Sequence, residues 1–300
     1  MTIVVGANPF GDAHGAIDLG ITLARTLPDA ARSQALVVAT VLPSSRADSR
    51  TREWAHAQAD EAETRARDAL AALGGRSDEL TVEFVRLHDR SAPRALATLA
   101  EARDATALVL GSAADGPPGR MAVGSTADHL LHSSPVPLAI APTGYRCTPA
   151  HGGAPTRRLT CAYNGSDLAT TAVRWAARLT REIDVRLRVC SFGVRPATMY
   201  PPEIGTDIES EITAQWVEQM TEAQQALRAR LGAELDDDVE LVVTSGESWA
   251  AALSSVDWLP EELLVLGSSS ADTLRRVFLG TNATKIIRHS PVPVLVVPRD

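Results

Sequence analysis

The stretch "FLGTNATKIIRHSPVPVLVVP" (278–298) closely matches "AVGSTADHLLHSSPVPLAIAP" (122–142) in the middle of the chain. Each copy begins with a turn of small residues and continues into a short amphipathic helix pattern. Each then reaches a Pro-Val-Pro corner and ends in an apolar run typical of a buried strand. A helix pattern followed by such a strand indicates an α/β fold, and its repetition indicates a duplicated domain.

Further landmarks recur at a constant separation of 156 positions. They are the pairs Asn8 and Asn164, Gly111 and Gly267, Gly124 and Gly280, and Pro135 and Pro291. Between landmarks the register drifts, and a longer helix-rich segment around 207–232 restores it. Matched ends with insertions in the middle favour a duplicated domain over a short solenoid repeat.

The segment "TGYRCTPAHGGAPT" (143–156) contains Gly, Pro, Thr and His without apolar periodicity, which is typical of a linker. We therefore predict a first domain at 1–144, a linker at 145–156 and a second domain at 157–300. A chain of 300 residues is long enough for two such domains, each with its own core.

Within each copy, five apolar strand patterns alternate with helix patterns, which in the first copy span about 12–27, 50–73, 91–103 and 125–133. Continuous Val, Leu and Ile runs predict strands that helices bury on both faces. Parallel neighbours need crossover helices, so each copy predicts a doubly wound, five-stranded parallel sheet. The polar stretches 44–66 and 199–226 are expected to begin as loops.

Composition and charge exclude several classes of protein. Apolar residues make up 45% of the chain, and no apolar run reaches the roughly 18 residues of a membrane span. The N-terminus lacks a basic segment of the kind that opens a secretion signal, so we expect a cytoplasmic protein. The net charge of −8, without a Lys/Arg cluster, predicts no nucleic-acid partner.

Cysteine and histidine patterns indicate no metal site. Cys147, Cys161 and Cys190 are widely spaced, which favours buried thiols over a disulfide framework or a zinc site. His129 and His132 are three residues apart on a predicted helix but lack a neighbouring acidic or Cys partner. The acidic run "ELDDDVE" (234–240) lacks the glycine and alternation of a calcium loop and is expected to be a solvated turn.

Paired glycine turns are the strongest candidate for a binding site. The fourth strand pattern of each copy ends in a glycine, in "LVLGSAAD" (108–115) and "VLGSSSAD" (265–272), and a second glycine precedes the last helix. Ligands of doubly wound sheets bind beyond the carboxyl ends of strands, and the positive end of a helix suits phosphate. The same Gly-Ser or Gly-Thr pattern also caps helices that bind no ligand, so the turn alone leaves both interpretations open.

Each half resembles a domain of the universal stress protein family, and the whole chain resembles a tandem member. The family signature is G-x-x-G, nine residues, then G-S/T before a helix and a "PVLVV" ending. It is matched by the segments 111–125 and 267–281 and by "HSSPVPLAIAP" and "RHSPVPVLVVP". The resemblance implies an adenine nucleotide alpha hydrolase-like fold in each domain. It also implies that the domains pack across a pseudo-two-fold axis through their terminal strands, with homodimerisation of the tandem chain as a further step.

The resemblance further implies an ATP site, with or without Mg²⁺, at the strand ends of each domain. The matching residues are Asn8, Val41, Gly111, Ala114, Gly124 and Ser125 in the first half, and Asn164, Ser191, Gly267, Ser268, Ser270, Gly280 and Thr281 in the second. By the family pattern, the glycines line the triphosphate, Val41 and Ser191 lie near the adenine, and the Asn positions contact the adenosine.

Two departures from the family pattern weaken this implied site. The second glycine of G-x-x-G is Ala114 in one copy and Ser270 in the other, and the family Asp is Asn8 or Asn164. If the lost glycine position requires a left-handed backbone conformation, a residue with a Cβ there costs about 1–2 kcal/mol. Each charge-assisted amide–phosphate bond returns about 1.5–3 kcal/mol, so several such bonds outweigh the penalty. The second copy, which keeps Gly165-Ser166 after its Asn, is expected to bind better.

Three functions therefore compete. The first is a regulator or sensor of the stress response that binds ATP, with no catalysis beyond slow ATP hydrolysis. The second is a nucleotide-free, dimeric scaffold of the same fold that acts through protein partners. The third is an ATP hydrolase or nucleotidyl transferase, which the lack of a metal-binding acid or catalytic lysine beside the turns disfavours.

Overall fold

A computed structural model describes residues 2–8, 14–26, 34–42, 49–72, 80–113, 116–146, 156–194, 202–268 and 281–298. Within these ranges the strands are β1 (Thr2–Ala7), β2 (Gln34–Leu42), β3 (Leu80–His88), β4 (Ala107–Gly111), β5 (Leu138–Ala141), β6 (Arg158–Ala162), β7 (Arg186–Val194), β8 (Glu240–Gly246), β9 (Glu262–Gly267) and β10 (Val294–Val297). The helices are α1 (His14–Thr26), α2 (Ser49–Ala72), α3 (Ala92–Ala102), α4 (Ser125–Leu130), α5 (Asp167–Ile183), α6 (Pro202–Leu231), α7 (Trp249–Ser254) and α8 (Thr281–His289).

The strands form one ten-stranded sheet in the order β3-β2-β1-β4-β5-β10-β9-β6-β7-β8. All neighbours within each half, β1–β5 and β6–β10, are parallel. The strand order reverses direction between β1 and β4 and again between β6 and β9, which is the arrangement of a doubly wound sheet. The predicted α/β class with two five-stranded parallel halves is confirmed.

Helices cover both faces of this sheet, so the inner strands are largely apolar, whereas the outer strand β3 alternates half-buried and exposed residues. Ile3 and Val5 of β1 belong to the cluster beneath α1, α2, α5 and α6, whereas Val4 belongs to the cluster beneath α3, α4, α7 and α8. Each cluster runs through both halves. This burial on both sides explains the continuous Val and Leu runs that lack strict alternation.

The two halves join through the repeated Pro-Val-Pro segments. Strand β5 pairs with β10 in antiparallel fashion, with Leu138 opposite Val296 and Ile140 opposite Val294. Each strand is the edge of its own half, as the flanking prolines indicate. Because each edge covers the other, both strands lie at the centre of the full sheet, and the pseudo-two-fold arrangement is confirmed.

The two polar stretches 44–66 and 199–226 are mostly helical. Helix α2 starts at Ser49, next to the predicted start at about residue 50, and α6 starts at Pro202. The loops expected at the beginning of these stretches, at 44–48 and 199–201, lie outside the described residues. Such helices have a narrow apolar stripe, and tertiary packing of that stripe, which a polar sequence conceals, stabilises them.

Candidate functional site

Three predicted residues of the first half, Asn8, Val41 and Gly111, lie at or near the carboxyl ends of three neighbouring strands. Gly6 of β1 lies opposite Leu110 of β4, one residue before Gly111. Asn8 directly follows β1, and Val41 is near the end of the adjacent β2. The crevice between β1 and β4, where the strand order reverses, is the position at which doubly wound sheets bind ligands.

The second half repeats this placement. Ala162 at the end of β6 lies opposite Cys190 of β7, one residue before Ser191, and Gly267 ends β9 on the other side of β6. Asn164 follows β6 and is exposed. Because β5 and β10 are antiparallel, the two crevices open at opposite edges of the sheet.

A serine that the sequence reasoning did not single out holds the first glycine loop in place. The amide of Ala122 donates to the Ser112 hydroxyl oxygen at 2.7 Å, and the Thr143 hydroxyl donates to the same oxygen at 2.8 Å. The Ala113 amide donates to the Ala122 carbonyl at 2.8 Å. These bonds tie the loop to the ends of β4 and β5. The recurrence of Gly-Ser at 111–112 and 267–268 was the available signal.

Gly124 precedes α4 in an unstrained extended conformation, with φ −75° and ψ 167°. A Cβ built there would meet only the Cβ of Ala113, at an ordinary 3.5 Å. The backbone therefore does not require glycine at this position. Because Gly124 has no side chain, the start of α4 lacks a side-chain cap. The adjacent Ser125 is exposed.

Asn164 forms a tight turn that uses its side-chain oxygen. Its Oδ1 accepts hydrogen bonds from the Ser166 amide at 3.2 Å and from the Ser166 hydroxyl at 2.7 Å. Gly165 has φ +82°, a left-handed conformation that favours glycine. Ser166 in turn caps α5 by accepting from the Ala169 amide. Asn164 is exposed, and the turn uses its Oδ1 but not its NH₂ group, which is a donor.

The two residues expected near the adenine are both buried. Val41 is 9% exposed, and Ser191 is fully buried. The Ser191 hydroxyl accepts a hydrogen bond from Gln224 Nε2 at 2.9 Å, and the same amide donates to the Val242 carbonyl at 2.8 Å. Gln224 therefore uses Ser191 to anchor α6 on the sheet.

In the second half, Gly267 has a packing role that the sequence did not show. A Cβ there would approach the Cβ of Ala172 to 2.9 Å, because α5 lies directly on the strand end. The Ser268 amide donates to the Val297 carbonyl at 3.0 Å, as the Ser112 amide does to Ala141 in the first half. Of the remaining predicted residues, Ala114, Ser270 and Gly280 lie outside the described residues, and Thr281 is described only as the first residue of α8.

The other candidate groups form no centre. His129 lies exposed on α4, and the run 234–240 is mostly exposed, with Asp236 bonded to Arg181. In the described ranges, no group of three His, Cys, Asp or Glu side chains is placed to hold a metal ion. In the same ranges, no helix has the length and apolar character needed to cross a bilayer.

The two described cysteines are expected to be unreactive in the native protein. Burial raises the pKa of the Cys190 thiol to about 12 and also raises the pKa of Cys161, so both remain protonated near neutral pH. Since the thiolate is the nucleophile, iodoacetamide at about pH 8 should modify neither residue before unfolding and both in urea. Peptide mass spectrometry measures this difference. Rapid labelling of either residue in the native protein would contradict the burial.

Comparison with known proteins agrees with the fold and its duplication. The model of the Universal stress protein family matches residues 1–142 and 155–298. Universal stress proteins of Mycobacterium tuberculosis and Mycobacterium bovis are each 38% identical over 305 residues, covering 99% of this chain and all of each relative.

Solved structures show the same fold over the whole chain. A universal stress protein from Archaeoglobus fulgidus superposes with a TM-score of 0.60 at 16% identity, covering 100% of this chain and 98% of its own. One from Pseudomonas aeruginosa gives 0.57 at 16% identity, with 99% and 93% coverage. With two matches to the family model and full-length relatives, this chain belongs to the universal stress protein family and is a tandem member of it.

Proposed function

We propose that this protein is a cytoplasmic regulator or sensor in the stress response that binds ATP at the carboxyl ends of its strands. Membership of the family supports the stress-response role. The observation that carries the ATP proposal is Gly124, a glycine that the backbone does not require, at the start of α4 and beside the β1–β4 crevice.

In the first half, the chemistry of the site suits a triphosphate. The uncapped start of α4 presents amide groups and the positive end of the helix dipole, and the exposed Ser125 hydroxyl can donate to a phosphate oxygen. Asn8 is exposed at the end of β1, and on this proposal it contacts the adenosine. The bonds that Ser112 receives keep the loop in shape before a ligand arrives, which lowers the entropic cost of binding.

In the second half, the site is proposed to bind less tightly, which reverses the expectation from sequence. Asn164 uses its oxygen inside the turn and presents NH₂ donors. A ribose hydroxyl that would donate to the family carboxylate must instead accept from this amide. Asn164→Asp in the same turn would restore a charged acceptor.

The Asn164 turn also favours a second candidate, a nucleotide-free scaffold that acts through protein partners. In this alternative, the Asn-Gly-Ser turn serves only to cap α5. Homodimers of the tandem chain bind protein partners through their outer surfaces. Co-purification of ATP with the full chain, detected by mass spectrometry of a denatured sample, would count against the scaffold.

Titration calorimetry with ATP and Mg²⁺ tests the ATP proposal. Gly124→Leu places a branched side chain over the first turn of α4 and should weaken ATP binding to the first half at least about tenfold, the equivalent of one lost charge-assisted bond. The matched control is Ala102→Leu, which places the same side chain at an exposed position at the opposite end of the first half.

Two results would contradict the ATP proposal. One is the absence of heat and of a thermal shift with the unaltered chain at millimolar ATP. The other is equal weakening by Gly124→Leu and Ala102→Leu, when circular dichroism shows both variants folded. We assign no catalytic residue and expect release of labelled phosphate from ATP to be slow at most.

A further inference from the structure

A cleft of about 650 Å³ opens between the two halves. The first half contributes the loop 117–123, and the second half contributes Ala250 of α7 and the end of α8 at Arg288 and His289. This volume lies within the range of sites that bind small molecules. Gly111 and Gly124 do not line it, although Ala122 and Val123 on its wall directly precede Gly124 in the chain.

Three basic side chains meet in this cleft, and none of the described residues that line it is acidic. Arg120 Nη1 donates to the His289 carbonyl at 3.4 Å, which joins the first half to the second. Within the described part of the chain, neither Arg120 nor Arg288 forms an ion pair with a carboxylate. Among the described residues, this is a local concentration of positive charge without a paired carboxylate, in a protein of net charge −8.

The backbone of Arg120 is held firmly. Its amide donates to the Pro117 carbonyl at 3.1 Å, and its carbonyl accepts from the Thr143 amide at 2.8 Å.

Burial, followed by the charges of Arg120 and Arg288, lowers the pKa of His289. The imidazole is therefore neutral near pH 7, and an anion between these groups would favour its protonation.

The remaining wall of the cleft is apolar. Met121, Val123 and Ala250 line it beside the basic groups. A site with cations on one side and aliphatic side chains on the other suits a ligand with a phosphate group attached to an apolar or aromatic body. Guanidinium groups bind phosphate through paired hydrogen bonds, and apolar side chains contribute by excluding water.

We propose that this interdomain cleft is a second ligand site, which binds a small organic phosphate monoester through Arg120, Arg288 and His289. The ligand bridges the first half and the end of α8, so its binding strengthens the contact between the halves. The site stands independently of the strand-end ATP site.

Phenyl phosphate is a suitable probe, with inorganic phosphate for comparison, in NMR titrations of the full chain at low salt. Phenyl phosphate should shift the His289 imidazole resonances and raise their titration midpoint. It should bind about fivefold or more tightly than inorganic phosphate, because the partly exposed Val123 and Ala250 offer apolar surface to the ring. Arg120→Gln and Arg288→Gln should each weaken it about tenfold through loss of a charge-assisted bond.

Arg186→Gln is the matched control, since Arg186 is exposed at the start of β7 and forms no ion pair within the described ranges. Weakening by Arg186→Gln equal to that by Arg288→Gln would mean general attraction to positive charge and would overturn the proposal. The proposal would also be overturned if Gly124→Leu abolished the binding of phenyl phosphate and Arg288→Gln left it intact. Such a result would mean that the phosphate binds at the strand ends.

Discussion

Glu262→Gln is expected to lower the free energy of unfolding of this protein by about 3–5 kcal/mol, the usual effect of breaking a buried ion pair. The Glu262 side chain is fully buried at the start of β9. Its Oε2 accepts from Arg158 Nη2 at 2.7 Å and its Oε1 from Arg188 Nη2 at 2.5 Å. The variant keeps the shape of the side chain but leaves the buried Arg188 guanidinium without its counter-charge and Arg158 with only the exposed Glu240, 3.8 Å away.

The carboxylate is well satisfied in the native protein, which is why its loss should be costly. Besides the two arginines, the Thr160 hydroxyl and the Leu259 amide donate to Glu262. The Arg188 guanidinium lies 5.3 Å from the centre of the Trp258 ring. In the substituted protein, the Gln NH₂ group would face a guanidinium that also needs an acceptor.

The control for this experiment is Glu83→Gln, which breaks an exposed pair of similar geometry. Glu83 accepts from Arg103 at 2.5 and 2.6 Å, yet the side chains are 45% and 37% exposed. Solvent screens such a pair, so the loss should stay below about 1 kcal/mol. Urea unfolding followed by circular dichroism compares the two variants. Equal losses would contradict the importance assigned to the buried network.

Val296→Asp is the second substitution with a large expected effect, a loss of more than about 4 kcal/mol. Val296 is fully buried in β10, between Leu138 of β5 and Leu266 of β9. Asp is smaller than Val, so the change does not overpack the site and its main effect is the burial of a charge. Because β10 joins the two halves, unfolding of both halves should shift to lower urea.

Two further variants separate the effect of the charge from the loss of apolar contact. Val296→Ala removes only apolar contact and should cost about 1.5–3 kcal/mol, which measures the junction even if the Asp variant does not fold. Thr81→Asp introduces the same charge at an exposed position of the outer strand β3, where a loss below about 0.5 kcal/mol is expected. A small effect of Val296→Asp would show that β10 does not hold the halves together.

The candidate site was only partly predictable. Gly111, Gly124 and Asn8 could be proposed because parallel strands bring their carboxyl ends to one edge of the sheet, a rule that needs only the strand pattern. Ser112 and Gln224 were missed. Their partners lie ten or more residues away, and one serine in a loop gives no local sign of what it binds.

The buried ion pairs of Glu262 with Arg158 and Arg188 could not be predicted from the sequence either. The first half has Thr2 and Thr106 at the positions matching Arg158 and Glu262, so the duplication itself did not predict a buried ion pair. Charged residues at strand starts are ordinarily solvated. Only the packing of Trp258 and the adjacent strands shows that these charges are buried.

The sequence alone determined the duplication, the alternation of strands and helices, and the placement of the glycine turns at strand ends. Each of these is a local pattern, or a comparison of one local pattern with another. The tertiary structure decided the antiparallel junction of β5 with β10, the buried charges around Glu262, and the meeting of Arg120 with Arg288 and His289. These contacts join residues more than 70 positions apart, so they depend on how packed elements are placed in space and leave no periodic trace along the chain.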